Sequence, residues 1–294
     1  MQGAERNQSE FLMPMTDEIS FSPVSDALGA EVGGVDLSGP LVAAQIDTLK
    51  AGFAKHGVLF FRDQSLTPEQ HIAFAESWGE IVVNRFFTPV EGHPRVAEVR
   101  KEPDQSFNVG GGWHTDHSYD LEPALGSILY ARELPDVGGD TLFAGMSAAY
   151  EALSSGLKET LSGMRALHSS RHVFGEQAAQ LKDFANRLGN AEEATQDAVH
   201  PVVITHPLSG RKALYVNPGF TLGFDGWTAE ESRPLLDYLY QHASRPEFTC
   251  RFEWRPGSVA FWDNRATWHY ALNDYHGKRR LMHRITLDGE ALSA

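Results

Sequence analysis

The sequence is poor in cysteine: Cys250 stands alone among 294 residues. One thiol closes no intrachain disulfide and builds no thiolate metal cluster, so a disulfide-stapled scaffold is excluded and a reducing compartment is expected. Basic residues are also short, 25 Lys and Arg against 39 Asp and Glu, for a formal net charge of −14. Nucleic acid and anionic membrane surfaces repel such a chain, so neither is an expected partner, and any anion it handles has to meet a local group of arginines. No stretch supplies the ~20 apolar residues of a membrane span. Met1 to Asp26 is polar and acidic apart from Phe11-Leu12-Met13, so residues 1–20 are expected to be a frayed leader on a soluble cytoplasmic protein. Internal repeats and an interdomain linker are missing as well. Residues 21–294 are therefore expected to form one domain, for which a hydrophobic content of 41% is enough to build a core.

What is present reads as short strands with helices set between them. Gln45 to Lys55 predicts a helix, and the unbroken apolar run Val58-Leu59-Phe60-Phe61 a buried strand. Thr67-Pro68-Glu69-Gln70 is a capping box with proline in the first turn, and Thr228-Ala229-Glu230-Glu231 is a second capping box. Gly126 to Ala131 predicts a strand, Gly138-Gly139-Asp140 a turn into another, and Ala149, Leu153, Leu157 and Leu161 one helix over Ser147 to Gly163. Cys250, Phe252 and Trp254 alternate with Thr249, Arg251 and Glu253, and Arg279 to Leu287 alternates too. The polar insertion Glu176 to Gln196 is expected to be helical, either a lid or a solvated surface helix. The pattern as a whole predicts a mainly β fold with flanking helices, an antiparallel double-sheet core.

The chemistry gathers at Gly110-Gly111-Gly112-Trp113-His114-Thr115-Asp116-His117 and at the remote His269. In extended backbone, residues i and i+2 share a face, so His114 and Asp116 point the same way. Two imidazoles and one carboxylate form the set that holds Fe(II) on three corners and leaves three open. His117, beside the pair, is a candidate cavity residue. The other histidines are expected to be structural or at the surface, among them His71, His93, His200 and His206. In Arg280-Leu281-Met282-His283-Arg284, both arginines fall on one strand face, about 13 Å apart along the backbone. Facing inward they require anions; facing outward they are solvated, and periodicity alone leaves both open.

These motifs closely resemble the taurine / 2,4-dichlorophenoxyacetate dioxygenase (TauD/TfdA) family of Fe(II)- and 2-oxoglutarate-dependent oxygenases. The resemblance spans Leu28 to Gly289 and rests on Trp113-His114-Thr115-Asp116, Gly138-Gly139-Asp140-Thr141, Tyr215-Val216-Asn217, Trp262-Asp263-Asn264-Arg265 before His269, and Arg280 to Arg284. It implies a double-stranded β-helix (jelly roll, cupin-like), with iron on His114, Asp116 and His269. It also implies that Thr141 and Arg280 bind the distal carboxylate of 2-oxoglutarate and that Arg284 meets an anionic group of the substrate. The implied reaction consumes dioxygen and 2-oxoglutarate, releases succinate and carbon dioxide, and hydroxylates the substrate, cleaving it where the hydroxylated carbon bears a heteroatom. Related halogenases lack the carboxylate that Asp116 supplies, so hydroxylation is the expected outcome. A homo-oligomer, dimer or tetramer, is expected.

Counted from the shared motifs, taurine enzymes have polar residues where this chain has Asn84 (for His), Phe87 (for Tyr) and Gly110 (for Asn), while Phe174 and Phe220 match their apolar walls. Phe86 and Trp227 are expected to add aromatic surface. The resulting pocket, with Asn84, Phe87, His117, Phe174 and Phe220 around Arg284, suits a bulkier and more apolar acid than taurine: an aryloxyalkanoate, alkyl sulfate or sulfonate. A taurine-type sulfonate or natural-product oxygenase of the same family is the alternative. Two remoter readings use the same residues differently, a zinc hydrolase and a non-catalytic sheet protein.

Overall fold

In the computed structural model, which describes residues 18–175 and 187–294, alternation along the central strands separates two apolar layers. Phe60, Leu129, Ala260, Trp262 and Met282 point to one side and pack with Phe143, Cys250 and Phe252. Their neighbours Leu59, Phe61, Ile128, Phe261, Ile285 and Leu287 point to the other and pack with Leu49, Phe53 and Phe74 of two helices and with Trp78 just after the second. A period of two is what lets one sheet serve two cores.

The large sheet runs in the order Ser20–Pro23, Ala30–Gly33, Val58–Phe61, Val259–Asp263, Gly126–Glu133, Arg280–Leu287, His93–Lys101 and Pro89–Val90, with Ile81–Val82 also on Arg280–Leu287. Among the described residues only Ala30–Gly33 and Val58–Phe61 pair in parallel within it. Facing it is a small sheet of Thr249–Phe252, Thr141–Gly145 and Thr267–Ala271. The two sheets form the jelly roll that the sequence predicts. Helices Ala43–His56 and Pro68–Glu76 cover the outer face of the large sheet. The second starts where expected, where the Thr67 side chain accepts from Gln70 N at 3.2 Å and Gln70 Oε1 accepts from Thr67 N at 2.8 Å; the first begins at Ala43, two residues before the expected Gln45. No helix of the described residues is long and apolar enough to cross a membrane.

One sequence expectation changes. The single helix over Ser147 to Gly163 is two helices, Met146–Glu151 and Ser155–Leu161. Ser154 takes extended φ/ψ and its Oγ accepts from Leu157 N, so a local cap outcompetes the uninterrupted apolar period. The leader at residues 1–17 and residues 176–186 of the insertion lie outside the described residues. Of that insertion, residues 187–196 are described: Leu188 bridges to Phe87, Ala191–Glu193 is a 3-10 turn, and Ala194 is buried in an aromatic cluster.

His71 is buried rather than at the surface, 1% exposed under helix Pro68–Glu76, with Tyr130 at 6.2 Å between ring centroids. Burial, reinforced by nearby His283, holds its pKa at about 3 against an ordinary 6.5. A depressed histidine pKa favours the folded chain above pH 6.5, and that contribution is lost as pH falls from 6.5 toward 3, because the unfolded chain takes up the proton first. His71→Leu should therefore shrink the loss of stability between pH 7.5 and pH 5 by about 1–2 kcal/mol, read from urea midpoints; an unchanged pH dependence would rule this out.

Candidate active site

A cavity of about 830 Å³ opens between the two sheets, and its wall includes His114, Asp116, Thr141, His269, Arg280 and Arg284. Backbone pairing creates the cluster. His114 and His269 form an antiparallel bridge, with His114 N donating to His269 O at 3.2 Å and His269 N to His114 O at 2.8 Å. Such an exchange places the two side chains on one face, and their ring centroids lie 4.0 Å apart. Asp116 follows His114 by two residues. Its Oδ1 is 3.8 Å from His114 Nε2 and its Oδ2 4.0 Å from His269 Nε2. One donor atom from each of the three lies within 4.8 Å of the others.

The electrostatics suit a divalent cation. His114 Nδ1 lies 2.8 Å from the Gly112 carbonyl, which can only accept, so the proton sits on Nδ1 and Nε2 offers its lone pair. Burial pushes the pKa of His114 down, against the pull of Asp116, and pushes that of His269 well below its usual value. Both imidazoles are thus neutral, the form that ligates. Burial alone would raise the Asp116 pKa, but Arg284 foremost holds its carboxyl far below the ordinary range. Ser127 Oγ donates to Asp116 Oδ2 at 2.9 Å and orients it. Two neutral nitrogens and one carboxylate make a donor set that fits a 2+ ion.

Strand Arg280–Leu287 turns its arginines inward, since Met282 between them packs in the inner core. Arg280 is 5% exposed, and its Nε and Nη2 have no partner among the described residues. Burial lowers its pKa. A buried guanidinium with orphaned donors is costly, and a carboxylate fits it. Gly139, at φ +75°, makes room: a Cβ there would meet Arg280 Cδ at 3.2 Å. Thr141 stands on the same face of the small sheet as His269, because Ala271 pairs with Thr141 and His269 with Phe143. Its Oγ accepts from Trp254 Nε1 at 3.0 Å, which leaves its own proton to donate. Arg284 contacts both Asp116 oxygens at 3.4 Å and lies 4.3 Å over the Phe87 ring.

Around Arg284, Phe87, Phe174 and Phe220 line the cavity as expected, and Phe86 stacks behind Phe174 at 4.4 Å. His117 lines it too. Asn84 does not: its Oδ1 accepts from Phe86 N and Phe87 N at 2.9 and 3.0 Å, so it shapes the turn that presents Phe87. Trp227 is 46% exposed and packs on Phe224, away from the cavity wall. Gly110, at φ +79°, leaves His114 bare, since a Cβ there would meet its Cε1 at 3.3 Å.

Comparison with known proteins settles the kinship. The model of the family described as taurine catabolism dioxygenase TauD, TfdA family matches residues 20–286. The chain belongs to the TauD/TfdA family. A Pseudomonas putida protein named alpha-ketoglutarate-dependent sulfate ester dioxygenase is 34% identical to it, over 94% of this chain and 92% of that protein. A Sphingobium herbicidovorans (S)-phenoxypropionate/alpha-ketoglutarate-dioxygenase is 32% identical, over 95% and 98%. A crystal structure of a taurine dioxygenase from Burkholderia xenovorans superposes with a TM-score of 0.77 at 37% identity, covering 94% of this chain and 91% of that one. The sequence expectation of a 2-oxoglutarate-dependent dioxygenase on a jelly roll holds.

Other residues of this TauD/TfdA site had no role in the sequence reading, although its motif Trp262-Asp263-Asn264-Arg265 contains three of them. Asp263, 0% exposed, receives Arg265 through Nε at 2.9 Å and Nη2 at 2.7 Å, and His206 Nε2 at 2.9 Å. This locks the turn that leads into the strand of His269, where Thr267 Oγ donates to the Asp263 carbonyl at 2.7 Å. Asn264 and Ser127 extend the support to Asp116. The signal available was an arginine two residues after an aspartate at a strand end; nothing marked Ser127. Breaking one side of a buried pair leaves a lone charge, so Arg265→Ala should lower stability by about 3–5 kcal/mol in urea titration. It should also weaken the thermal stabilisation given by manganese(II), which His269→Ala should abolish. Equal manganese stabilisation in all three proteins would refute the assigned ligand set.

Proposed function

We propose that this dioxygenase uses iron(II) on His114, Asp116 and His269, with 2-oxoglutarate and dioxygen, to hydroxylate a small organic anion that has an apolar or aromatic body. The observation that carries the reading is Arg280: a buried cation with two orphaned nitrogens, in the same cavity as the His/Asp/His cluster. Bound iron(II) would supply the oxidising chemistry that couples decarboxylation of 2-oxoglutarate to hydroxylation of a substrate C–H.

The chain's own residues bind and orient. Arg280 and Thr141 grip the distal carboxylate of 2-oxoglutarate, the first by a planar fork and the second by a hydroxyl. Asp116, fixed by Ser127, supplies the one negative charge that balances part of the metal's. Arg284 is shared: with a metal drawing on Asp116, its Nε, which has no partner among the described residues, and its remaining fork are open to a substrate acid. Phe87 beneath the guanidinium, with Phe174 and Phe220, gives the substrate's apolar body its surface and keeps water out. About 830 Å³ accommodates a cosubstrate and a substrate with a ring or a medium alkyl chain. The activities named for the sulfate ester and phenoxypropionate relatives support an alkyl sulfate, sulfonate or aryloxyalkanoate for this chain. Where O, N or S sits on the hydroxylated carbon, the product collapses to a carbonyl compound as the heteroatom leaves with its group, as sulfate, sulfite or a phenol for the three substrate classes.

Succinate formation with iron(II) and ascorbate across a panel of acids tests this. Arg280→Ala should raise the KM for 2-oxoglutarate about 100-fold, the loss expected for two charge-assisted hydrogen bonds. Arg284→Ala should raise the KM of the acid and leave that of 2-oxoglutarate near wild type. Turnover stimulated only by neutral or cationic compounds would reject the reading.

A further inference from the structure

The aromatic cluster that walls the cavity packs Phe86, Phe87, Phe174 and Phe220 with Tyr119, its one polar side chain among the described residues. The Tyr119 ring lies 4.9 Å from that of Phe220 and 6.0 Å from that of Phe174, edge-on to both, and lines the cavity. A phenylalanine would serve this packing equally well, so the hydroxyl needs a reason of its own. Tyr119 is 3% exposed, and its oxygen has no hydrogen-bond partner among the described residues. A buried hydroxyl left unpaired costs stability, and a buried tyrosine usually finds a partner.

Burial pushes the pKa of this phenol up, with Asp120 and Asp116 adding to the rise and Arg284 opposing it, so the oxygen keeps its proton. Arg284 is thus near enough to act on the hydroxyl. It turns Nη1 to Asp116, and its Nε has no partner among the described residues. A guanidinium fork takes two oxygens of an acid. A carboxylate then has none left, whereas a tetrahedral sulfate or sulfonate head has a third. Asn84 does not serve that oxygen, because it turns away to cap the amides of Phe86 and Phe87. We propose that Tyr119 is a substrate-binding residue whose hydroxyl donates to the third oxygen of a sulfate or sulfonate head held by Arg284, so that the site prefers such a head to a carboxylate. The inference rests on the reading that an organic anion occupies this cavity beside Arg284. A phenol can donate or accept, but an anion only accepts, so the ligand's charge fixes the direction of the bond.

The probes are 3-phenylpropane-1-sulfonate and 4-phenylbutanoate, which share a body and differ in the head. Binding is measured by calorimetry on the full chain with manganese(II) and 2-oxoglutarate. Wild type should bind the sulfonate about tenfold tighter, the lower end of what one hydrogen bond to a charged group contributes. Tyr119→Phe keeps the ring and its packing. It should weaken the sulfonate about tenfold and leave the carboxylate within about twofold, with 2-oxoglutarate bound as in wild type, a split by head group that a purely structural role would not produce. An unchanged sulfonate affinity in Tyr119→Phe, or equal losses for both probes, overturns the proposal. Equal affinities of wild type for the two probes overturn it even if the variant does not fold. In each of these cases the acids still bind, so the organic-anion reading stands; no binding of either probe by wild type sinks both.

Discussion

Two backbone hydrogen bonds, exchanged between His114 and His269, are what the site depends on. They join a glycine-rich loop to the edge of the small sheet, and in doing so they set two imidazoles on one face without relying on side-chain packing. Everything else keeps that pairing in place. Asp263 and Arg265 lock the turn before the His269 strand, and Thr115 Oγ donates to the Asn264 carbonyl, tying the loop to the same turn. Gly219 passes so close that a Cβ would lie 2.7 Å from His114 Cβ, so only glycine fits behind the ring. The donor geometry is therefore a property of the backbone.

Strand Arg280–Leu287 shows how the fold distributes cost. One face carries Ile285 and Leu287 into the helix-covered layer; the other carries Arg280, Met282 and Arg284 between the sheets. Met282 repays its burial at once. The two arginines do not, because a desolvated guanidinium needs an anion. Arg284 finds part of one in Asp116, at 3.4 Å from both oxygens. Arg280 finds none among the described residues for two of its nitrogens. A buried guanidinium with orphaned donors costs stability, and a carboxylate is the group that would offset it.

The sequence discloses the site better than its surroundings, for physical reasons. His114, Asp116 and His269 are legible because metal chemistry restricts residue type and extended backbone restricts spacing. The inward arginines are only half legible: period two separates the faces of a strand but does not say which face is the core, and that was decided by Met282 packing between the sheets. Asn84 shows the limit of counting from shared motifs. Position carries over, but orientation does not, and its carboxamide oxygen caps two backbone amides instead of facing the cavity. The break at Ser154 fails for a related reason, since an apolar period of 3.6 continues unbroken through a residue whose hydroxyl prefers to start a new helix. Ser127 is invisible because a serine inside a strand has no pattern of its own.

A formal charge of −14 sits oddly with a site for anions. The conflict dissolves with distance. At physiological ionic strength the potential of a charge decays over about 8 Å, so acids scattered on the surface act weakly on a group inside the barrel. Within the cavity the dielectric is low and the near charges are Arg280 and Arg284, offset by one carboxylate, Asp116. Long-range repulsion slows the approach of an anion and excludes polyanions such as nucleic acid, which must stay in contact with the surface. A small acid needs to cross that field only once, after which the local balance is positive. The same arithmetic accounts for an apolar wall beside the arginine: in a dry aromatic setting one guanidinium attracts an acid more strongly than several lysines on an exposed surface, so a single cation suffices.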